Sequence, residues 1–548
     1  MFFSHKMRTC IIFLSLLSSI ALAAPRITII FVVDQFAHHY VSRLKPYFGG
    51  GIKTMLTHGI VYENAYFPHA MPATGTGHAA LNTGCYAKDH GIISNKWYDA
   101  DGNLIYCDQD SPQNAAVFGP KGQLLNEGRS AKNQTVEGVS DQIMLSSSPG
   151  FKNQVFSLSY KSRAAILAAG DAGKAIWFDG KTGHFTTSKA YFDKLPQWVS
   201  DFNQKAQLYK PKEYFWEQVY ADKKRAYDGV YATDYEFSTK KSWIGTSIKV
   251  PDTKFDKEEP YDLLTHLPHS NKILMDLAID CIEKNITNNR KDKLVIWISL
   301  SGPDRLGHLF GPDSKEMFDM MYQLDRQIKH FMKKVESFAR KADTMYILTA
   351  DHGVAPIPAV AHAQGIRPAV SINENEWVKE LNKKIANKYD INNFIQAYRT
   401  PNFYFDQKLY HKIKKKKHKK IVKDLKRWVQ ETEGILRAWT PKKLLRQTFQ
   451  PWDIEGYYKN QYFPGRSGEL IVQVQPFCIT TKYPTGTGHR TPYECNTHVP
   501  LVFYQHGAFD HQAIYDRVSM LQFANTLANI LEVPSAPAST CNVLPGMF

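Results

Sequence analysis

Five short runs along the chain are almost wholly apolar and rich in Val, Ile and Phe: Ile27 to Val33, Val155 to Ser159, Leu294 to Leu300, Met345 to Thr349 and Leu501 to Tyr504. A strand with one wet face would alternate apolar and polar positions; unbroken runs predict strands covered on both faces. Helical patterns lie between them, among them Lys272 to Lys284 and Lys315 to Phe338. The alternation predicts an α/β fold, with a mostly parallel central sheet flanked by helices. Residues 356–483 break this rhythm, being lysine-rich with one long charged helix and scattered aromatics. They are expected to form a cap-like insertion over the functional site, dividing the α/β domain into residues 24–355 and 484–548.

The first four runs end in polar residues: Asp34, then Lys161 and Arg163, then Asp304, then Asp351 and His352. Ligands of open α/β sheets bind at the carboxyl ends of the strands, so four distant parts of the chain are expected to converge on one edge. Asp34, Asp304, His308, Asp351, His352 and His489 together offer three carboxylates and three imidazoles. With a hydroxyl or water to complete the shells, such a set holds two divalent ions, and its oxygen and nitrogen donors suit zinc. Asp304 and His308 are four residues apart and share one helix face. Gly353 allows the adjacent Asp351 and His352 to reach one ion.

The string Pro72-Ala73-Thr74-Gly75-Thr76-Gly77-His78 leads into Ala79, Ala80 and Leu81, the start of a helix whose free N–H groups would face an anion. A threonine there can serve as a metal-activated nucleophile. Local sequence does not choose between Thr74 and Thr76, and the pentapeptide TGTGH recurs at Thr485 to His489.

Composition adds further constraints. The chain is 548 residues long and 43% hydrophobic, enough for a large core. Its first residues read as a signal peptide, with Lys6 and Arg8, an apolar run from Ile11 to Leu22, and cleavage expected after Ala23. No other segment reads as membrane-spanning, so the mature chain is expected in the periplasm or outside the cell. Beyond Cys10 in that segment, Cys85, Cys107, Cys281, Cys478, Cys495 and Cys541 allow up to three disulfides and contain no CxxC pair for thiolate-bound zinc. The net charge of +16 is concentrated in Lys412 to Lys420, read as a solvated helix face and, as a second reading, as attachment to an anionic envelope surface. No aromatic residues interleave with these lysines, which disfavours nucleic acid.

Six ordered strings then match a known pattern: the strand ending in Asp34; Thr74 to Gly84 with His78; His90-Gly91-Ile92 and Asn95; Pro303-Asp304 with Gly307-His308; Ala350-Asp351-His352-Gly353; and Gly488-His489 followed by Thr497-His498-Val499-Pro500. Over nearly the whole mature chain the sequence resembles the alkaline phosphatase superfamily, in its threonine-nucleophile branch. The resemblance implies one zinc held by Asp304, His308 and His489 and another by Asp34, Asp351, His352 and the Thr74 oxygen. It also implies Thr74 as nucleophile, four residues before the histidine of its string, and Asn95 as a donor to a phosphoryl oxygen. Arg490 departs from the pattern, since members often carry a small residue after the last ligand histidine.

Two Zn²⁺ against three aspartates and a threonine alkoxide leave the site near neutral, so a monoester dianion needs further positive charge. Lys161 and Arg163 would supply it, arginine as a bidentate clamp, and the resemblance implies that this pair contacts the non-bridging oxygens. The expectation is an exported alkaline phosphatase acting on small phosphate monoesters through a phosphothreonine. A phosphodiesterase or nucleotide pyrophosphatase with the same metals is the first alternative, and a non-catalytic polyanion-binding envelope protein the second. A sulfatase is disfavoured because Cys85 lacks the Cys-x-Pro-x-Arg pattern.

Overall fold

A computed structural model describes residues 24–230, 241–483 and 485–547. The expected signal peptide lies outside the described residues. No described helix is long and apolar enough to cross a membrane.

Fourteen strands matter for the site. They are β1 (Ile27–Val33), β2 (Ile60–Tyr66), β3 (Gln154–Ser159), β4 (Lys174–Asp179), β5 (His184–Thr186), β6 (Leu294–Leu300), β7 (Thr344–Thr349), β8 (Ile395–Arg399), β9 (Asn402–Phe405), β10 (Ile435–Trp439), β11 (Leu470–Val474), β12 (His498–Gln505), β13 (Gln512–Ile514) and β14 (Val518–Ser519). Ten form one sheet in the order β5-β4-β3-β6-β1-β7-β12-β2-β13, with β14 also on β2. Strands β4, β3, β6, β1 and β7 run parallel, and β12 runs against β7 and β2. The expected mostly parallel α/β sheet is the one observed.

At its centre, all seven residues of β1 and of β6 are buried, in register from Ile27 opposite Leu294 to Val33 opposite Leu300. Each buried Val, Ile, Leu or Phe side chain among them contributes roughly 1.5–3 kcal/mol of burial, which fixes the level at which the strands end. Helices α1 (Thr74–Thr83), α2 (Ser162–Ala169), α3 (Pro268–Asn285), α4 (Gly302–Phe310) and α5 (Lys315–Glu336) flank the sheet. Strands β2 and β4 carry no long apolar run. In β2 the sequence IVYENAY is interrupted by Glu63 and Asn64, where the register against β12 shifts between Tyr62 and Ala65.

Strands β8 to β11 form a second sheet in the order β8-β9-β11-β10, packed with helices α6 (Glu374–Tyr389) and α7 (Lys415–Gln430) around a separate apolar core. The lysine run falls across the start of α7, whose Ile421, Leu425 and Val429 are buried four residues apart while most of the run stays exposed. Segments Ser371–Asn373 and Ile479–Thr481 pair in parallel at the two ends of this unit. The unit meets the main domain through Gln461, which bonds to the backbone of Met71 and Ile93, and Arg466, which donates to Gly91 and Asn133. All six described cysteines are free thiols, and Cys107, Cys281 and Cys478 belong to three separate apolar cores, so none of these three can pair with another.

At the start of β12, His498 stacks between His38 and Tyr66, at centroid distances of 4.1 and 4.3 Å. Burial lowers the pKa of both His39 and His498 to about 4. An unfolded histidine titrates near 6.5, so the unfolded chain binds more protons than the folded one between those values, and stability is lost as pH falls through that window. The melting temperature is expected to drop between about pH 6.5 and 4, and His498→Gln should make that drop shallower in scanning calorimetry; parallel profiles would refute the assignment.

Candidate active site

The shared level of the β-strand ends brings the sequence-predicted residues together. Asp34 leaves β1 fully buried, its N–H bonded to Leu300 O at 3.1 Å. Asp351 and His352 leave β7, and Asp304 and His308 lie one turn apart on α4. Ligand atoms of Asp304, His308 and His489 lie within 4.8 Å of one another, as do those of Asp34, Asp351 and His352.

The histidine tautomers decide what these groups can hold. His352 Nδ1 lies 3.0 Å from Gly353 O, His308 Nδ1 2.9 Å from Thr487 O and His489 Nδ1 2.9 Å from Pro72 O. A carbonyl only accepts, so each Nδ1 carries the proton and each Nε2 presents a lone pair. Those lone pairs face carboxylate oxygens: His308 Nε2 is 3.1 Å and His489 Nε2 3.6 Å from Asp304 Oδ1, and His352 Nε2 is 3.4 Å from Asp34 Oδ1 and 3.5 Å from Asp351 Oδ2. Acceptor facing acceptor is repulsive unless a cation lies between. Asp34 Oδ1, Asp351 Oδ2 and His352 Nε2 are also buried without a hydrogen-bond partner. This donor set fits two divalent cations, and its imidazoles are anchored to backbone carbonyls as metal-ligating histidines commonly are.

Charge tells the same story. Burial, then the charge of Asp34, pushes the Asp351 carboxyl well above the carboxylate range. Burial acts on Asp304 in the same direction, but Lys161, His308 and His489 outweigh it and hold the carboxyl well below. The buried Lys161 Nζ bonds to Asp34 Oδ2 at 2.5 Å and also to Asp304 Oδ2, bridging the two ligand groups. One ammonium does not balance three buried carboxylates.

Thr74 is the first residue of α1, and its carbonyl accepts from His78 Nδ1 at 2.8 Å. His78 in turn accepts from Ser299 Oγ at 2.9 Å and lies 3.6 Å from Asp351 Oδ2, tying the start of α1 to the carboxylates. Gly77 packs directly on Asp351, where an added Cβ would meet the carbonyl oxygen at 2.2 Å. Asn95 Oδ1 accepts from Gly75 N at 2.8 Å, which leaves its amide N–H groups to donate. Thr76 is fully buried with an unpartnered hydroxyl, whereas Thr74 retains 1% exposure.

Arg163 lies in the first turn of α2, half-buried, with no ion pair among the described residues. The nearby carboxylate Asp108 is already engaged by Ser162 Oγ at 2.5 Å and Arg129 Nη1 at 2.8 Å.

The two TGTGH strings meet here in different conformations. The first opens a helix; the second is an irregular loop that delivers His489 and, through Thr487, anchors His308. Sequence reasoning missed Gln35. Its φ of 69° turns the chain so that its N–H reaches Asp351 Oδ1 at 3.3 Å and its amide reaches Asp304 Oδ1 at 2.9 Å. Its position directly after Asp34 was the only local signal.

Fold and site together define a cluster of carboxylates and imidazoles able to hold metal ions at the edge of an α/β sheet, and the type I phosphodiesterase / nucleotide pyrophosphatase family matches residues 28–150 and 172–499. The chain belongs to that family. It is 28% identical over 488 residues to the alkaline phosphatase PhoV of Synechococcus elongatus, covering 88% of this chain and 85% of that protein. It is 27% identical to the alkaline phosphatase PafA of Elizabethkingia meningoseptica, covering 94% and 92%. The crystal structure of wild-type PafA superposes with a TM-score of 0.82 at 25% identity, over 96% of this chain and 99% of that one.

The repeated string supplies a control for the packing of α1. Gly77→Ala is expected to cost roughly 1–3 kcal/mol because the opposing atom is backbone. Gly488→Ala, with nothing within 4 Å of its Cβ, should stay within about 0.5 kcal/mol. Urea denaturation of both variants checks this; equal losses would refute the close seating of α1.

Proposed function

We propose that this chain is an exported, two-zinc phosphomonoesterase that works through a phosphothreonine on Thr74. The observation that carries the reading is the inward set of three Nε2 lone pairs opposed to buried carboxylates. Asp304, His308 and His489 would hold one zinc; Asp34, Asp351, His352 and the Thr74 oxygen would hold the other. When bound, such a pair lowers the pKa of a coordinated hydroxyl or water and stabilises charge on a leaving oxygen.

The chain's own residues then position the reaction. Thr74 Oγ1 forms the bond to phosphorus as the ester oxygen departs in line, and water later displaces Thr74 from the opposite side. His78 and Asn95 fix the first turn of α1 and thereby the direction of attack. The amide of Asn95 and the guanidinium of Arg163 hold the equatorial oxygens, and Lys161 supplies positive charge beside the carboxylates. Residues 356–483 cover the site as an insertion.

The family is named for diesterases, whereas PhoV and PafA are named alkaline phosphatases. Arg163, free of any carboxylate, favours the dianionic monoester over the monoanionic diester. A solved PafA variant has a threonine, an asparagine, a lysine and an arginine replaced, the first pair 21 residues apart and the second pair two apart. Thr74 with Asn95, and Lys161 with Arg163, have the same spacings.

Zinc-loaded enzyme is expected to show a higher kcat/KM on 4-nitrophenyl phosphate than on its methyl diester. Arg163→Ala should lower the monoester value by about 10²–10³-fold and the diester value by less than about tenfold. Thr74→Ala should lose at least about 10³-fold and the phosphoprotein trapped by acid quench. Preference for the diester would overturn the monoester reading, and a phosphoprotein formed by Thr74→Ala would overturn the nucleophile.

A further inference from the structure

Beside the proposed site, five cations gather from separate parts of the chain. Lys96 follows Asn95, Arg163 lies two residues past Lys161, and Arg490 follows His489. Arg399, at the end of β8, and Lys482, just past Ile479–Thr481, come from the capping unit. Among the described residues, Lys96, Arg163, Arg399 and Lys482 make no ion pair, and Arg490 approaches Glu374 only to 4.0 Å. The Nε atoms of Arg163 and Arg399 are buried without a partner.

Aromatic rings rather than carboxylates orient the group. Lys96 Nζ lies 5.4 Å from the centroid of Tyr106, and the Arg399 guanidinium 6.0 Å from that of Tyr98. Thr400, next to Arg399, donates to Glu374 Oε1 at 3.1 Å and lies 2.5 Å from Thr480 Oγ1, two residues before Lys482, so Arg399, Lys482 and Arg490 converge on the one carboxylate of Glu374, and the charges respond to it. Burial, followed by Arg399, Arg490, Lys482 and Arg163, lowers the Lys96 ammonium to about 8. Lys482 is lowered by burial, Arg399 and Arg490, against the opposing charge of Glu374. Five cations facing one carboxylate repel one another, and a polyanion relieves that repulsion.

We infer that Lys96, Arg399, Lys482 and Arg490 form a second-anion subsite, so that the preferred substrates are phosphate monoesters whose leaving group carries a further phosphate. This rests on the monoesterase reading. Arg163 stands between the two charges, on the transferred phosphoryl group, while the four other cations take the second phosphate. The subsite spans the main domain and the capping unit, which gives residues 356–483 a role in substrate choice.

Adenosine 5′-monophosphate and adenosine 3′,5′-bisphosphate share the same scissile ester and differ by the second phosphate. With zinc-loaded enzyme and products separated by chromatography, kcat/KM for release of the 5′-phosphate is expected to be about tenfold higher for the bisphosphate, the effect of a few partly screened charge contacts. The double variant Arg399→Gln/Lys482→Gln should remove that preference, leave the monophosphate value within about twofold, and weaken the dependence on ionic strength. An unchanged preference in the double variant, or none in the wild type, overturns the subsite while the monoesterase reading stands. No turnover of adenosine 5′-monophosphate overturns both.

Discussion

Three carboxylates buried together at one sheet edge are the constraint around which this molecule is organised. Asp34, Asp304 and Asp351 have almost no access to water, and burial together with the charge of Asp34 raises the Asp351 carboxyl. Such an arrangement persists only where the surrounding structure imposes it. The imposition comes from β1, β6 and β7, whose apolar side chains are locked in one register and end at one level. Core packing is thus what holds the charged site in place, and the site's need for cations is the result.

How far this was legible depended on the kind of signal. The strands β1 and β6 were readable to the residue because unbroken Val/Ile/Leu runs have one physical interpretation in an α/β chain. Asp34, Asp351 and His352 were readable as residues of one sheet edge because they follow such runs directly, whereas His489 arrives on an irregular loop. Strand β2 was not, because Glu63 and Asn64 occupy a bulge where polar groups are tolerated within a buried strand. Gln35 was invisible for another reason: its role depends on a left-handed backbone turn that an ordinary glutamine does not advertise. Conformation and placement, neither visible in the string itself, separate the two identical TGTGH segments, one coiled into a helix on Asp351 and the other an irregular loop beside His308.

The unit built on the second sheet shows the limit of pattern reading. Its own core of Trp377, Leu381, Phe403, Ile421 and Leu470 follows ordinary amphipathic logic, and the lysine run is the wet face of α7. What could not be read was which of its polar residues turn toward the main domain. Arg399 and Lys482 look no different in sequence from the many exposed cations around them.

His489 reaches the site from the loop just beyond Ile479–Thr481, the strand that closes the capping unit, and that loop also holds His308 through Thr487. If the Asp304 group holds the proposed zinc, its filling and the ordering of residues 356–483 are thermodynamically linked. A cation that binds all three ligands tightens the exit from the cap, and a well-seated cap lowers the entropy lost on binding the cation. On the proposed zinc reading, residues 356–483 would then influence how long that ion is retained without touching it.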